Sequence, residues 1–174
     1  MLQITYTQIG DNELSPQFAE HGRTMAERLR LIGREKVQSQ PAPQRSPEWQ
    51  RAASHTAWAM FSWSSIWTIY YHQSAPYQPP NFPIPGDQTH DPNGWLLHPL
   101  PTYMGDTFTL LCKFWLIAHE TIEAYYSELG VPIVDRISLK FAESQYQRLL
   151  KWSTMLPASV ARGSPETHHV ALLQ

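Results

Sequence analysis

Residues 46–71 read SPEWQRAASHTAWAMFSWSSIWTIYY, and this stretch decides the fold. Four of the seven tryptophans lie in it, and no charged residue occurs between Ala57 and Tyr71. A helix that is apolar on every face must be surrounded by other helices or lie in a membrane. The run is shorter than the roughly 18 to 20 apolar residues that span a bilayer, and serines interrupt it. It therefore predicts a central helix inside a helical core, capped by Ser46 and ending near His72.

Length and composition indicate one globular domain. The chain has 174 residues, of which 42% are hydrophobic, and its net charge of −2 offers no general attraction to a phosphate backbone. We therefore expect that this segment alone does not hold DNA. The single cysteine, Cys112, excludes an intramolecular disulfide and a thiolate-rich metal cluster, and we expect it to be packing material in a reducing environment. The N-terminus lacks the pattern of a signal peptide.

Three further helices are predicted around the central one. Ser15, as a cap, and Pro16 open an amphipathic helix that stops at Gly33, and its apolar stripe is Phe18, Gly22, Met25, Leu29 and Ile32. Asp106 opens a helix that Gly130 closes. The predicted buried stripe of this helix is Leu111, Trp115, Ala118, Ile122, Tyr125 and Leu129.

The last of these helices is predicted from Ser138 to Met155. The residues expected to face inward are Phe141, Tyr146, Leu149, Leu150, Trp152 and Leu156. Strand-like alternation occurs only over Ile133–Ile137. The predicted fold class is therefore all-α: an irregular multi-helix domain with a long proline-rich loop between its two main core helices.

Two segments interrupt the helical pattern. Residues 35–45 are polar and contain proline, which predicts a linker, and residues 73–102 hold prolines too closely spaced for a helix or an interior strand. The apolar residues of that loop are expected to dock on the helices: Tyr77, Phe82, Ile84, Trp95 and Leu96. A further cap at Ser164 opens a helix that the chain leaves incomplete at Gln174, so we expect residues 1–174 to be a fragment truncated at both ends.

Candidate chemistry is sparse. His119 and Glu123 lie one helical turn apart, so a contact between them is plausible, but Glu123 stands where a zinc-protease helix has its second histidine. His168 and His169 have no partners at metal-ligand spacing and are expected on the surface. We assign no catalytic, cofactor-binding, metal-binding or DNA-binding residue. The tryptophans are expected to form core, with a ligand pocket as the alternative.

Several motifs, in order along nearly the whole chain, resemble the fungal-specific transcription factor domain. They are the helix with Phe18, Gly22, Ala26 and Leu29; Arg51, Trp58 and Phe61 in an R-x-x-x-x-x-x-W-x-x-F pattern; the proline-rich segment from Tyr77 to Asp87; the helix LCKFWLIAHETIEAYYS; and Leu149, Trp152, Leu156 and Pro157. The chain resembles most the nitrogen-assimilation type of these regulators.

The resemblance implies the middle homology, or regulatory, region of a binuclear zinc-cluster activator. Such a region would act in the nucleus on transcription by RNA polymerase II, would be non-enzymatic, and would sense a small effector or contact a co-regulator protein. Zinc and DNA binding belong to a family module with six cysteines that is absent from this chain, so no cofactor is expected here. Two alternatives stay open: a small helical enzyme of a biosynthetic pathway, and a helical protein-interaction module.

Overall fold

The computed structural model describes residues 5, 9–10, 13–33, 46–71, 77–87, 107–126, 130–158 and 160, and five helices with defined bounds and no strand occur among them. The helices are α1 (Leu14–Arg28), α2 (Pro47–Tyr71), α3 (Thr107–Tyr126), α4 (Ile133–Arg136) and α5 (Leu139–Thr154). The all-α prediction is confirmed. None of these helices combines the length and apolarity needed to cross a bilayer. The predicted linker at 35–45 and the helix after Ser164 lie outside the described residues.

Helices α2 and α3 form the centre of the core and run in the same general direction. The ring of His55 stacks on Phe108 near the start of α3, with centroids 5.9 Å apart, and Phe61 meets His119 further along at 5.4 Å. The later residue of α2 meets the later residue of α3, so the two helices run in the same direction. A short turn joins antiparallel neighbours, whereas parallel helices need a connection that returns over the helix length. This requirement explains why residues 72–106 separate α2 from α3.

Part of that connection, residues 77–87, lies against both helices, and we call it the strap. Gln78 reaches Glu123 near the end of α3, whereas Thr109 near its start donates to the carbonyl of Pro85. The strap therefore runs antiparallel to α3. Its docking was predicted for five apolar residues; Tyr77 and Ile84 are buried and Phe82 packs against the core, which confirms three of them. Trp95 and Leu96 lie outside the described part of the chain.

The central helix α2 begins as predicted. The Ser46 hydroxyl accepts a hydrogen bond from the Trp49 amide at 3.3 Å, which confirms the cap. Trp58 and Phe61 are buried, and Phe61 is fully so. The expectation that every face is covered is wrong, because the side chain of Tyr70 is 76% exposed. Helix α3 and the strap cover one side of α2 only.

Helix α1 differs from its prediction at both ends. It begins at Leu14 after an N-cap at Glu13, so Ser15 is a buried first-turn residue rather than the cap. It ends after Arg28 rather than at Gly33, because Arg30 takes a left-handed conformation with φ +56°. The Leu31 amide then bonds to the carbonyl of Ala26, and the Arg30 amide to that of Glu27, the pattern of a Schellman C-cap.

The predicted stripe of α1 is also partly wrong. Met25 and Leu29 are exposed, whereas Ala26 and Ile32 are buried. The small side chain of Ala26 lets the turn after the helix fold back over it, so that Leu31 enters the core in place of Leu29.

Helix α5 packs antiparallel on α3. Its cap at Ser138 is confirmed by a 3.2 Å hydrogen bond from the Phe141 amide, and the Trp152 indole donates to the Leu110 carbonyl at 3.1 Å. Tyr146 and Leu150 were predicted to face inward but are exposed. The helix contributes Gln145 to the interior instead, because its contact with α3 is partly polar.

Two corrections concern α3 and α4. Residues with strand-like alternation form the one-turn helix α4, whose Arg136 donates to the carbonyls of Ala124 and Tyr125 at the end of α3. The buried face of α3 is Thr107, Thr109, Cys112, Trp115, His119, Ile122 and Tyr126. Of the predicted stripe, Trp115 and Ile122 are buried, Leu111 and Ala118 are half-buried and Tyr125 is exposed. Leu129 lies outside the described residues. The face is broader and rotated because α3 contacts both α2 and α5.

Candidate functional site: the α2–strap–α3 joint

The strap is held to α2 through its carbonyl groups. The Trp58 indole N–H donates to the carbonyls of Phe82 and Pro83 at 2.9 and 3.1 Å, and the Ser54 hydroxyl donates to that of Pro83 at 2.6 Å. A proline has no backbone N–H and can only accept through its carbonyl. Buried side-chain donors on α2 therefore match what a proline-rich segment offers. These contacts give Trp58 of the R-x-x-x-x-x-x-W-x-x-F pattern a defined structural role.

A tight turn ends the strap against α3. The Asp87 amide bonds to the Ile84 carbonyl at 3.1 Å, and Gly86 has φ +77° after Pro85, the arrangement of a type II turn. A Cβ atom at Gly86 would lie 2.6 Å from the hydroxyl oxygen of Thr109. That hydroxyl donates to the Pro85 carbonyl, also at 2.6 Å. The absence of a side chain at Gly86 is what allows the turn to approach α3.

An ion pair between a buried carboxylate and a partly exposed ammonium group follows the turn. Asp87 is 6% exposed, and one of its carboxylate oxygens lies 3.3 Å from the Lys113 ammonium group on α3. A buried charge is costly unless it is paired, and Lys113 provides the counter-charge. The pair fixes the end of the strap to the first half of α3, so its role is structural.

His119 of α3 lies buried against α2. Its residue is 3% exposed, its ring meets that of Phe61, and Nε2 lies 3.8 Å from Oε2 of Glu123, beyond hydrogen-bond distance. Among the described residues neither ring nitrogen has a hydrogen-bond partner. Burial lowers the pKa of His119, and the nearby carboxylates of Glu123 and Glu120 oppose that effect. The predicted approach of His119 to Glu123 is confirmed, and the imidazole is buried rather than solvated.

The two carboxylates beside His119 are held by other groups. Oε1 of Glu123 accepts a hydrogen bond from the side-chain amide of Gln78 at 3.0 Å, which ties it to the strap. Glu120 accepts from Arg148 and, at 2.9 Å, from Gln145, both on α5. The hydrogen bond from Arg148 is the main cause that lowers the pKa of Glu120. Glu123 therefore stands between the buried imidazole and the strap, whereas Glu120 faces α5.

The further buried polar atoms that lack partners within the described part of the chain include the Trp115 indole nitrogen and the Ser62 hydroxyl. Trp115 lies one turn before His119 on the same face of α3. Sequence reasoning treated Trp115 as apolar core and gave no role to Ser62. No local sequence pattern points to either atom.

Among the described residues, the joint contains no recognisable reaction centre. Burial raises the pKa of the Cys112 thiol to about 12, so the group stays protonated and inert. No group of three histidine, cysteine or acidic side chains suited to a metal ion occurs among the residues described. His168 and His169 lie outside them. A group of the joint that can exchange a proton near neutral pH is the His119 imidazole.

Comparison with known proteins adds no relative: no family model, no curated protein and no solved structure matches this chain.

Proposed function

We propose that this chain is the regulatory, effector-sensing helical domain of a fungal transcription factor that controls transcription by RNA polymerase II. It would act in the nucleus without enzymatic activity, and DNA and zinc would be bound by a separate module. The proposal rests on the order of motifs that resemble the fungal-specific transcription factor domain. A small effector or a co-regulator protein would be its partner.

The observation that carries the proposal is the location of the motif residues. Trp58 and Phe61 are among the most buried residues of α2, Trp152 joins α5 to α3, and Tyr77–Asp87 is the strap. Several of the motif residues thus form contacts that hold this fold, whereas Leu29 of the first motif is exposed. Contacts of this kind are what a scaffold shared with that family would need, which supports the proposal.

The strap gives such a scaffold a means of response. It contacts α1 through a 3.0 Å hydrogen bond from the Tyr77 hydroxyl to Glu27, α2 through Trp58, and α3 through Thr109. A ligand that changes the spacing of α2 and α3 must therefore change the strap and α1 as well. An effector bound at this joint would act on the whole domain, as masking of an activation region requires.

A reporter assay tests the proposal. The chain is placed between a heterologous DNA-binding domain and an acidic activation segment, and reporter output is compared with that of a fusion with a flexible linker in its place. We expect the folded chain to lower the output several-fold and the level to change between rich and poor nitrogen sources. Gly86→Ala, which disturbs the strap, should restore the output, whereas Gly130→Ala, at a position open to solvent, should not. Immunoblots verify equal protein levels.

Equal reporter output from all fusions, on every nitrogen source, would contradict the proposal. Turnover of a metabolite by the purified chain would favour the enzyme alternative. The interaction-module alternative needs a proline-rich segment that is extended and exposed to a partner. The described part of that segment packs on the core instead, which weighs against it.

A further inference from the structure

The buried face between α2 and α3 contains an ionisable group whose charged form the surroundings do not support. His119 is in contact with the ring of Phe61 on α2, and it is 3% exposed. Imidazole is the side chain whose charge changes near neutral pH. A neutral His119 leaves its one N–H and one lone pair without partners among the described residues, whereas an imidazolium would leave a charge and two donors.

Glu123 is the group within reach of that charge. Its Oε2 lies 3.8 Å from Nε2 of His119, and its Oε1 accepts from Gln78 at 3.0 Å. To form a hydrogen bond with His119, the carboxylate must move toward the imidazole by about 1 Å. Because the same carboxylate also holds Gln78 through Oε1, such a movement disturbs that hydrogen bond, so His119 and the strap compete for Glu123.

The other charged groups around His119 do not relieve this competition. On its own helix, Glu120 is held by Arg148 of α5. Helix α2 has no charged residue from Ala57 to Tyr71, and the strap presents the neutral Gln78 on this side. The ion pair of Asp87 with Lys113 lies at the other end of the strap.

We infer that the joint is a proton-sensitive latch: uptake of one proton from solvent by the His119 imidazole draws Glu123 away from Gln78 and weakens the attachment of the strap to α3. The inference concerns the joint itself and does not depend on the proposed function. The latch would give the fold a conformational response to pH that no sequence motif indicates.

The sign of the effect follows from linkage. Burial holds the pKa of His119 below the ordinary value of 6.5 in the folded chain. The unfolded chain therefore binds the proton more readily, and the joint contributes stability that is fully present above pH 6.5 and is lost as pH falls toward the folded pKa. One linked proton changes the unfolding constant by at most about tenfold per pH unit.

Two measurements on the whole chain test the latch. Nuclear magnetic resonance gives the titration midpoint of the His119 ring and follows the side-chain amide of Gln78 in the same samples. We expect a midpoint below 6.5 and a Gln78 shift with the same midpoint. In Glu123→Gln, the midpoint of His119 should fall further, because a favourable negative charge is removed. A midpoint at or above 6.5, or a Gln78 amide that does not follow it, overturns the inference.

Urea unfolding at pH 7.5 and pH 5.5 supplies the second measurement. The unfolding constant of the wild type should increase between these values more than that of His119→Gln, by a factor approaching tenfold. His21→Gln, at an exposed position on α1, serves as the matched control and should respond to pH like the wild type. Identical responses of wild type and His119→Gln would refute the latch. Should His119→Gln fail to fold, the resonance titration of the wild type still decides.

Discussion

Replacing Gly86 with alanine tests whether the turn at the end of the strap holds the joint together. The backbone at Gly86 has φ +77°, a conformation that costs an L-residue about 1 to 2 kcal/mol. Alanine also restricts the unfolded chain, which returns about 0.4 to 1 kcal/mol. The new Cβ would lie 2.6 Å from the Thr109 hydroxyl, which must rotate away and leave the buried Pro85 carbonyl unpaired. That loss costs about 1 to 3 kcal/mol.

These contributions give an expected loss of about 1 to 4.5 kcal/mol in the free energy of unfolding. Urea titration followed by circular dichroism measures it. Gly130→Ala is the matched control, because a Cβ atom there has no neighbour within 4 Å and the backbone is not left-handed. We expect the control to stay within about 0.5 kcal/mol of the wild type, as surface substitutions do.

A double variant separates the two causes. Thr109→Ala removes the atom that the new side chain meets, so the combined variant should lose less stability than the sum of the single ones, by about 1 kcal/mol. If Gly86→Ala and Gly130→Ala have equal stability, the strap turn does not contact α3 as described. Simple additivity with Thr109→Ala would show that the close approach is not the source of the loss.

Three further outcomes are expected. Trp58→Phe should lower the free energy of unfolding by about 2 kcal/mol, because the two strap carbonyls lose their indole donor. The control Trp63→Phe, at a half-buried position, should lower it by under about 1 kcal/mol. Urea unfolding followed by circular dichroism distinguishes these values, and equal losses would contradict the anchoring role of Trp58. Arg30→Gly should raise the thermal midpoint through about 0.5 to 1 kcal/mol of stability, because φ +56° no longer carries a Cβ penalty; a lower midpoint would argue against the Schellman cap. Cys112 should react with a thiol reagent at pH 7.5 at least about a thousandfold more slowly in the folded chain than in denaturing urea. The reason is that burial raises its pKa to about 12 in the folded chain. Rapid labelling of the folded chain would show that α3 is exposed.

Local signals in the sequence predicted the helices where capping and composition agree. Ser46 and Ser138 each accept a backbone hydrogen bond three residues on, as the cap pattern indicates. Ser15 has the same neighbour, proline, yet lies inside its helix. The chain before it continues the helical turn from Leu14, so a cap residue is not needed at that position. A capping pattern thus identifies a helix start to within about two residues.

Faces were predicted less well than helices. A stripe at three- and four-residue spacing assumes one covered side, but α3 is covered by α2 and by α5, and its buried face includes His119 and Cys112. Helix α5 has a narrower buried face than its stripe predicts, because the described neighbours leave Tyr146 exposed. Which side of a helix is covered depends on contacts far away in sequence, and periodicity does not contain that information.

The joint itself was only partly predictable. Docking of the proline-rich segment follows from its apolar residues, and Pro85-Gly86 is a turn signal that was overlooked. The burial of His119 follows from its neighbour Phe61 on another helix, which no local pattern reports. The contact of His119 with Glu123, by contrast, follows from their spacing of one helical turn.

The parallel course of α2 and α3 has a consequence for biosynthesis. A ribosome releases α2 well before α3, and the strap between them cannot settle until both helices are present. Until residue 126 has emerged, the nascent polypeptide exposes Trp58 and Phe61, because their packing partner α3 is not yet available. Contacts between residues far apart in sequence form slowly, and the exposed apolar surface favours aggregation until they have formed. Production in a host should therefore improve with slower translation or extra chaperone, more than with any change at the surface.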